Sequence, residues 1–186
     1  MIISQDKFLF NKFVKTTTID TLFYFSIYLY LFFLSPYLST LGWSEPLKGV
    51  FFALFSIIGI VASPVVGTLS DKIGRFHMMM IGLALEFLAL IGYLSTTDTV
   101  MLFLVRIVSA LGFFCVVLSA LSRVNDIVDN VHRGKANGLF HSIISVAVIV
   151  APLIGGAIAD AQGYGSVFLA SLISMIVIMS GIVIFD

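Results

Sequence analysis

Six stretches of about twenty residues carry almost no charge, and they decide what this chain can become. They occupy about 21–42, 49–70, 76–95, 100–121, 138–159 and 165–185. A hydrocarbon core about 30 Å thick needs roughly 20 apolar residues to cross as a helix. Inside lipid every backbone polar group must be satisfied within the protein, so only helices and closed barrels cross. Barrel strands would show as segments of about 10 residues with alternating polarity, and that pattern is missing here. Composition agrees. Of 186 residues 60% are hydrophobic and 11% charged, with a mean hydropathy of +1.13. Soluble domains hold about 45–50% apolar and about 25% charged residues. The surplus must face lipid.

The breaks between the stretches carry turn chemistry or charge, around 42–46, 71–75, 96–98, 122–135 and 160–164. Such short connections predict antiparallel hairpins. The expected fold is one all-α membrane domain over 1–186 with six transmembrane helices. The apolar run after Lys7, Lys12 and Lys15 is too long for a signal-peptide core of about 7–15 residues, so no cleavable leader is expected.

Basic residues orient the spans. Lys7, Lys12, Lys15, Lys72, Arg75, Arg123, Arg133 and Lys135 all fall at one side, while the other side holds Lys48 and Arg106 lies within span 4. The expectation is a multi-pass protein of the cytoplasmic membrane with both termini, Asp186 included, in the cytoplasm. The zero formal net charge argues against a nucleic-acid partner. Cys115, the single cysteine, reads as a small buried hydrophobe. No metal-ligand spacing, nucleophile–base pair or phosphate loop is present. Neither an enzyme nor a cofactor is expected.

Ionisable groups at mid-bilayer cost roughly 2.5 kcal/mol or more, so each needs a reason. Asp20, Tyr24 and Tyr28 recur at steps of four and would form a polar stripe up one face of span 1. Glu86 and Arg106 each lie ten positions from Thr96. At 1.5 Å per residue this puts them at one depth, about 15 Å in, across the hairpin of spans 3 and 4. An ion pair between them is expected, either as a lock or with Arg106 as an anchor for an anionic group. His141 near the start of span 5 is a packing residue or a proton relay. Gly59, Ser63 and Gly67, and Ala147, Ala151, Gly155 and Ala159, form small-residue stripes that let helices approach closely. Pro64 and Pro152 should bend those spans.

The turn between spans 2 and 3 reads Gly67-Thr-Leu-Ser-Asp71-Lys72-Ile-Gly74-Arg75. Its glycines permit a tight turn, and its aspartate can cap a helix or pair with arginine. This turn resembles the Gly-x-Leu-x-Asp-Arg/Lys-x-Gly-Arg signature of the major facilitator superfamily of secondary transporters. Arg106 with Gly112 is similar to the family's fourth-helix arginine motif. Asp126 with the run from Arg133 to Gly138 resembles the loop entering its fifth helix. Ala151-Pro152-Leu-Ile-Gly155-Gly156 looks like the fifth-helix motif of antiporters, with Ala151 where that motif has glycine.

The resemblance implies the N-terminal half of a two-half fold, built as a three-plus-three inverted repeat. It implies a central cavity lined by helices 1 and 4, with Asp20, Tyr24, Tyr28, Arg106 and Ser109 as candidates beside Glu86 and His141. It implies that Asp71, Arg75 and Asp126 form a cytoplasmic charge cluster, and that helices 2 and 5 meet a second six-helix half. That half would be a missing region, a separate chain or a homodimer mate. The function implied is alternating-access efflux of a small molecule, coupled to protons. Uptake of a sugar or organic anion is the alternative. A transport-incompetent half or a membrane interaction protein is the alternative of another class.

Overall fold

A computed structural model of the chain describes residues 7–185 and, among them, consists of helices joined by turns. The helices are α1 (Lys7–Leu31), α2 (Leu34–Thr40), α3 (Glu45–Ile73), α4 (Arg75–Ser95), α5 (Thr99–Ile127), α6 (Arg133–Gln162) and α7 (Tyr164–Phe185). Six spans are long and apolar enough to cross a membrane, with α1 and α2 sharing the first, Leu9–Thr40. Asp186 lies outside the described residues.

Span 1 is helical from Lys7, the first described residue, so Asp20 lies well inside it. The helix breaks at Phe32 and Phe33 before resuming at Leu34. The cause is local. Pro36 has no N–H for the Phe32 carbonyl, and its ring crowds that group. The chain tightens instead, with Phe33 N donating to Tyr30 O (2.9 Å) and Tyr37 N to Phe33 O (2.9 Å).

The turns follow residue chemistry. Asp98 caps α5, its carboxylate accepting from Met101 N (3.0 Å). Gly74 (φ 97°) links α3 to α4 as a single residue, and Gly163 (φ 83°) links α6 to α7 in the same way. Both backbones are left-handed, where a Cβ is strained. The two links sit in matching sequence: Gly67-x-Leu-x-Asp71-x-x-Gly74 and Gly156-x-Ile-x-Asp160-x-x-Gly163. Each follows a helix with an interior proline, Pro64 in α3 and Pro152 in α6. This is the mark of a repeated three-helix unit, α1/α2–α3–α4 and α5–α6–α7. The resemblance implied such a repeat, and the matching turns show which residues carry it.

Packing is closest between α4 and α5. A Cβ on Gly82 would lie 2.7 Å from Gly112 O, and one on Gly112 would lie 2.9 Å from Gly82 O. Helix α7 is tied to α1 by a reciprocal pair: Ser26 Oγ donates to Ser171 O and Ser171 Oγ to Ser26 O, both at 2.9 Å.

The small-residue stripe of α6 packs within the bundle. Ala147, Ala151 and Gly155 are buried, and a Cβ on Gly155 would collide with Leu29 O and the Phe33 ring. The stripe therefore seats α6 on α1. On α3, Gly59 meets the Phe114 ring of α5. The outward faces of these helices carry large side chains instead, such as Ile60, Val61 and Val65 on α3 and Val146, Ile149 and Leu153 on α6. Of the six spans, α3 and α6 are the least buried.

Replacing Gly155 with valine should cost about 1–3 kcal/mol through overpacking against the Leu29 backbone. Gly138→Val, where no atom lies within 4 Å of the added Cβ, is the control. Thermal unfolding of the purified chain should show a clear loss for the first and little change for the second.

Candidate functional site

A cavity of about 470 Å³ opens between α1, α2, α3 and α5. Its wall is aromatic and aliphatic, with Tyr28, Phe32, Phe52, Phe55 and Phe113 among the lining side chains. Its polar groups are few: Tyr30, Ser35, Ser56, Arg106 and Ser109. An apolar chamber with a few placed polar groups is the usual form of a small-molecule site. The helix break at Phe32 and Phe33 falls at this wall, so Leu31 and Ser35 reach the cavity from either side of it.

Arg106 is 3% exposed. Its guanidinium carbon lies 4.4 Å from the Phe55 ring centroid, 5.1 Å from Phe51 and 5.3 Å from Phe52. Three ring faces of α3 thus hold the cation, each such contact contributing about 0.5–2 kcal/mol. Its Nε and Nη1 are buried without hydrogen-bond partners.

Glu86 is fully buried behind the cavity wall. Its Oε1 accepts from the Tyr30 hydroxyl (2.6 Å) and the Ser109 hydroxyl (3.2 Å). These two hydroxyls are 3.4 Å apart and both line the cavity. Oε2 has no partner, nor has the buried Tyr93 hydroxyl. The rings of Tyr30, Tyr93 and Phe168 pack together at centroid distances of 5.6–5.8 Å and close the site towards α7.

The expected Glu86–Arg106 ion pair does not form; no salt bridge joins them. Arg106 lies one turn from Ser109, so the depth argument placed the two groups near one another. Depth does not fix rotation about a helix axis. Glu86 turns towards α1 and Arg106 towards the phenylalanines of α3.

Other expected cavity residues separate. Tyr28 and Ser109 line the cavity; Asp20 and Tyr24 do not. Tyr24 stacks on Tyr28 (5.9 Å). Asp20 is 1% exposed with both carboxyl oxygens unpartnered, as are the hydroxyls of Thr16, Thr17 and Thr21. His141 is exposed on α6 beside Phe140 (5.3 Å) and is remote from the cavity lining. Sequence reasoning missed Tyr30 and the Phe51, Phe52 and Phe55 cage. A signal for them was present: a buried carboxyl needs a hydroxyl donor, and a buried guanidinium needs aromatic or acidic company.

The turn between α3 and α4 forms a second polar centre. Arg75 reaches Asp71 (2.5 Å), Asp126 of α5 (3.1 Å) and the Ser70 hydroxyl (3.3 Å), and Ser119 Oγ donates to Ser70 Oγ (3.3 Å). Three helix ends are joined there. Lys72 and Gly67 take no part, Lys72 being exposed and Gly67 having open space around it. Across the α5–α6 turn Asn137 donates to Asn125 (3.0 Å) and Arg133 to Asn125 O (3.3 Å). Hydrogen bonds from His132 hold the Asp129 carboxyl below its ordinary range. In the fifth-helix motif, Ala151 and Gly155 face α1, while Pro152 and Gly156 are half-buried.

The profile described as Major Facilitator Superfamily matches residues 19–185. The chain belongs to the major facilitator superfamily. Its six spans among the described residues and its repeated three-span unit make up half of that fold, in a multi-pass membrane protein. It is similar to the quinolone resistance protein NorA of Staphylococcus aureus, 27% identical over 155 residues, 81% of this chain and 39% of that protein. It is similar to the class H tetracycline resistance protein of Pasteurella multocida, 27% identical over 144 residues, 74% of this chain and 34% of the relative. An uncharacterized MFS-type transporter of Mycobacterium tuberculosis is 32% identical over 108 residues, 58% of this chain and 19% of that protein. The chain thus spans between about a fifth and two fifths of these relatives. The family is one of transporters rather than enzymes.

Tyr30→Phe should destabilise the facilitator bundle by about 1–3 kcal/mol, because it removes a donor from a buried acceptor. Glu86→Gln in that background should recover part of the loss. A double-mutant cycle read by thermal unfolding, with near-additive effects, would contradict coupling between the two residues.

Proposed function

We propose that this chain is the N-terminal half of a secondary transporter that exports a small amphipathic compound by alternating access, driven by protons. The observation that carries this reading is the aromatic cavity with a buried carboxyl directly behind its wall. Tyr30 and Ser109 line the cavity and both donate to Glu86. A proton entering from the cavity therefore has a hydroxyl path to the carboxyl. Protonation would convert Oε2, unpartnered in this state, into a donor or release the Tyr30 bond. Either change alters the contact of α1 with α4 and α5. The charged or titratable groups facing Glu86 are Tyr30 from α1, Tyr93 from its own helix and Arg106 from α5.

The tetracycline and quinolone resistance in the names of two relatives supports export of drug-sized molecules. The Phe52, Phe55 and Phe113 walls suit such a body. The second half is a further six-helix unit, in continuing sequence, in a separate chain or in another copy. It would cover the apolar outward faces of α3 and α6. The Arg75 cluster, on the side given to the cytoplasm by the basic residues, would hold one state of the cycle closed.

A second reading is favoured by one observation. Because Glu86 does not pair with Arg106, two guanidinium nitrogens remain for a ligand at the cavity wall. Uptake of an organic anion would use them. The two readings separate in a transport assay of the two-half assembly. Under export, Glu86→Gln should abolish the response to a proton gradient while Arg106→Lys retains transport. Under anion uptake, Arg106→Ala should weaken an anionic substrate about ten- to hundredfold and leave a neutral analogue unchanged. Unaltered proton dependence in Glu86→Gln would sink the coupling role. Asp71→Asn should leave insertion intact and lower the transport rate; a normal rate would remove the cluster from the cycle.

A further inference from the structure

A second hollow, of about 550 Å³, lies on the outer surface between α1 and the end of α7. It is separate from the cavity described above and shares no residue with it. Along α1 its polar residues Asn11, Lys15 and Thr18 follow at steps of four and three on one helix face, beside Phe10, Val14 and Ile19, and Leu22 continues that face deeper into the bundle. The opposite wall is Val177, Ile178 and Ile182, with Gly181 between. The reciprocal Ser26–Ser171 bonds fix the antiparallel register of the two helices. Counting from that pair sets Lys15 level with Ile182 and Thr16 level with Gly181. Nothing lies within 4 Å of a Cβ added at Gly181. The hollow is therefore open at the height of the lysine.

Positive charge is concentrated at that end. The Lys15 ammonium lies 5.3 Å from the Phe76 ring centroid, and the Arg123 guanidinium carbon lies 4.7 Å from the same ring. Two cations share one aromatic ring at the basic side of the membrane, and Lys12 lies one turn from Lys15 on α1. The hollow thus holds its polar and cationic groups, beside Phe10 and Val14, towards its outer end and is aliphatic towards the bilayer interior. That order matches a membrane lipid standing in its own leaflet, with head at the basic end and acyl chain along Leu22 and Val177.

We propose that this groove is a binding site for one anionic phosphoglyceride, its phosphate held at Lys15 and its acyl chain lying between α1 and α7. The occupant spans the first and last helices of the bundle and seals the seam that Gly181 leaves. The proposal is independent of transport direction and of the coupling ion.

The test is native mass spectrometry of the purified chain in mixed micelles holding phosphatidylglycerol or phosphatidylcholine of identical acyl composition. Wild type should retain one phosphatidylglycerol about fivefold more than phosphatidylcholine, the preference expected from one basic side chain at the surface. Lys15→Gln should bring that ratio close to one, and Lys15→Arg should keep it. Gly181→Leu should remove retention of both lipids. A Lys15→Gln ratio equal to wild type overturns the proposal, as does undiminished retention in Gly181→Leu. Glycerol phosphate alone competing away the lipid would assign the site to a free anion and overturn the lipid assignment. A dimer mass lost in Gly181→Leu, with lipid retention unchanged, would assign the groove to a second copy. Should Gly181→Leu fail to fold, the glutamine and arginine variants decide the question.

Discussion

The approach of α4 to α5 across Gly82 and Gly112 governs much of the rest. Each glycine leaves room for the other's carbonyl oxygen, so the two backbones come together without intervening side chains. Glu86 lies one turn from Gly82, and Ser109 lies three residues from Gly112. Drawing the glycines together thus brings the carboxyl to the serine hydroxyl. That contact leaves room on the α1 side for Tyr30, whose hydroxyl completes the trio. A β-carbon on either glycine would part the helices and strand a carboxyl in an apolar interior, where the cost of an unpaired charge is several kcal/mol. Packing and polarity are therefore one constraint here: small residues create the site and the site's chemistry demands them.

The six spans were legible because bilayer thickness and backbone satisfaction admit few solutions. The first helix was less so. It is already helical from Lys7, among lysines, threonines and an asparagine that read as loop, and Phe13, Thr16 and Thr17 are buried. The facing of side chains was the least legible feature. Spacing gave Glu86 and Arg106 a common depth, but sixfold packing decides which neighbour each meets. The same holds for the stripe Ala147, Ala151 and Gly155. Its spacing announces a close contact, and only the folded bundle shows that the contact is with α1. The Asp71–Arg75 turn was readable because its partners are four residues apart on continuous backbone, with Asp126 added across a short distance.

The matching turns at Gly74 and Gly163 show how a repeated backbone acquires different chemistry at each membrane face. Both retain the aspartate three residues before the glycine. After Gly74 comes Arg75, which gathers Asp71 and Asp126 into a charged cluster. After Gly163 comes Tyr164, which packs against Tyr37 of α2 at 6.4 Å. One turn is therefore held by ions and the other by aromatic contact. Charge clusters are weakened by water and salt, whereas ring contacts tolerate both. The two faces of the bundle are thus held by interactions of different sensitivity, although their turns share one backbone pattern.

Arg106 supplies a further asymmetry within the cavity. Its cation is held by three rings, and none of those rings can satisfy the N–H groups in their plane. Nε and Nη1 are left as buried donors, with the Tyr93 hydroxyl nearby. Glu86 Oε2 is left as a buried acceptor. Such groups are satisfied only when something is added or something moves. A proton, a water or a ligand acid would satisfy them from the cavity; a turn of the Arg106 side chain would satisfy them from within. The aromatic cage opposes the second route, because leaving it forfeits contact with Phe51, Phe52 and Phe55 together. The cage therefore holds the Arg106 side chain in place.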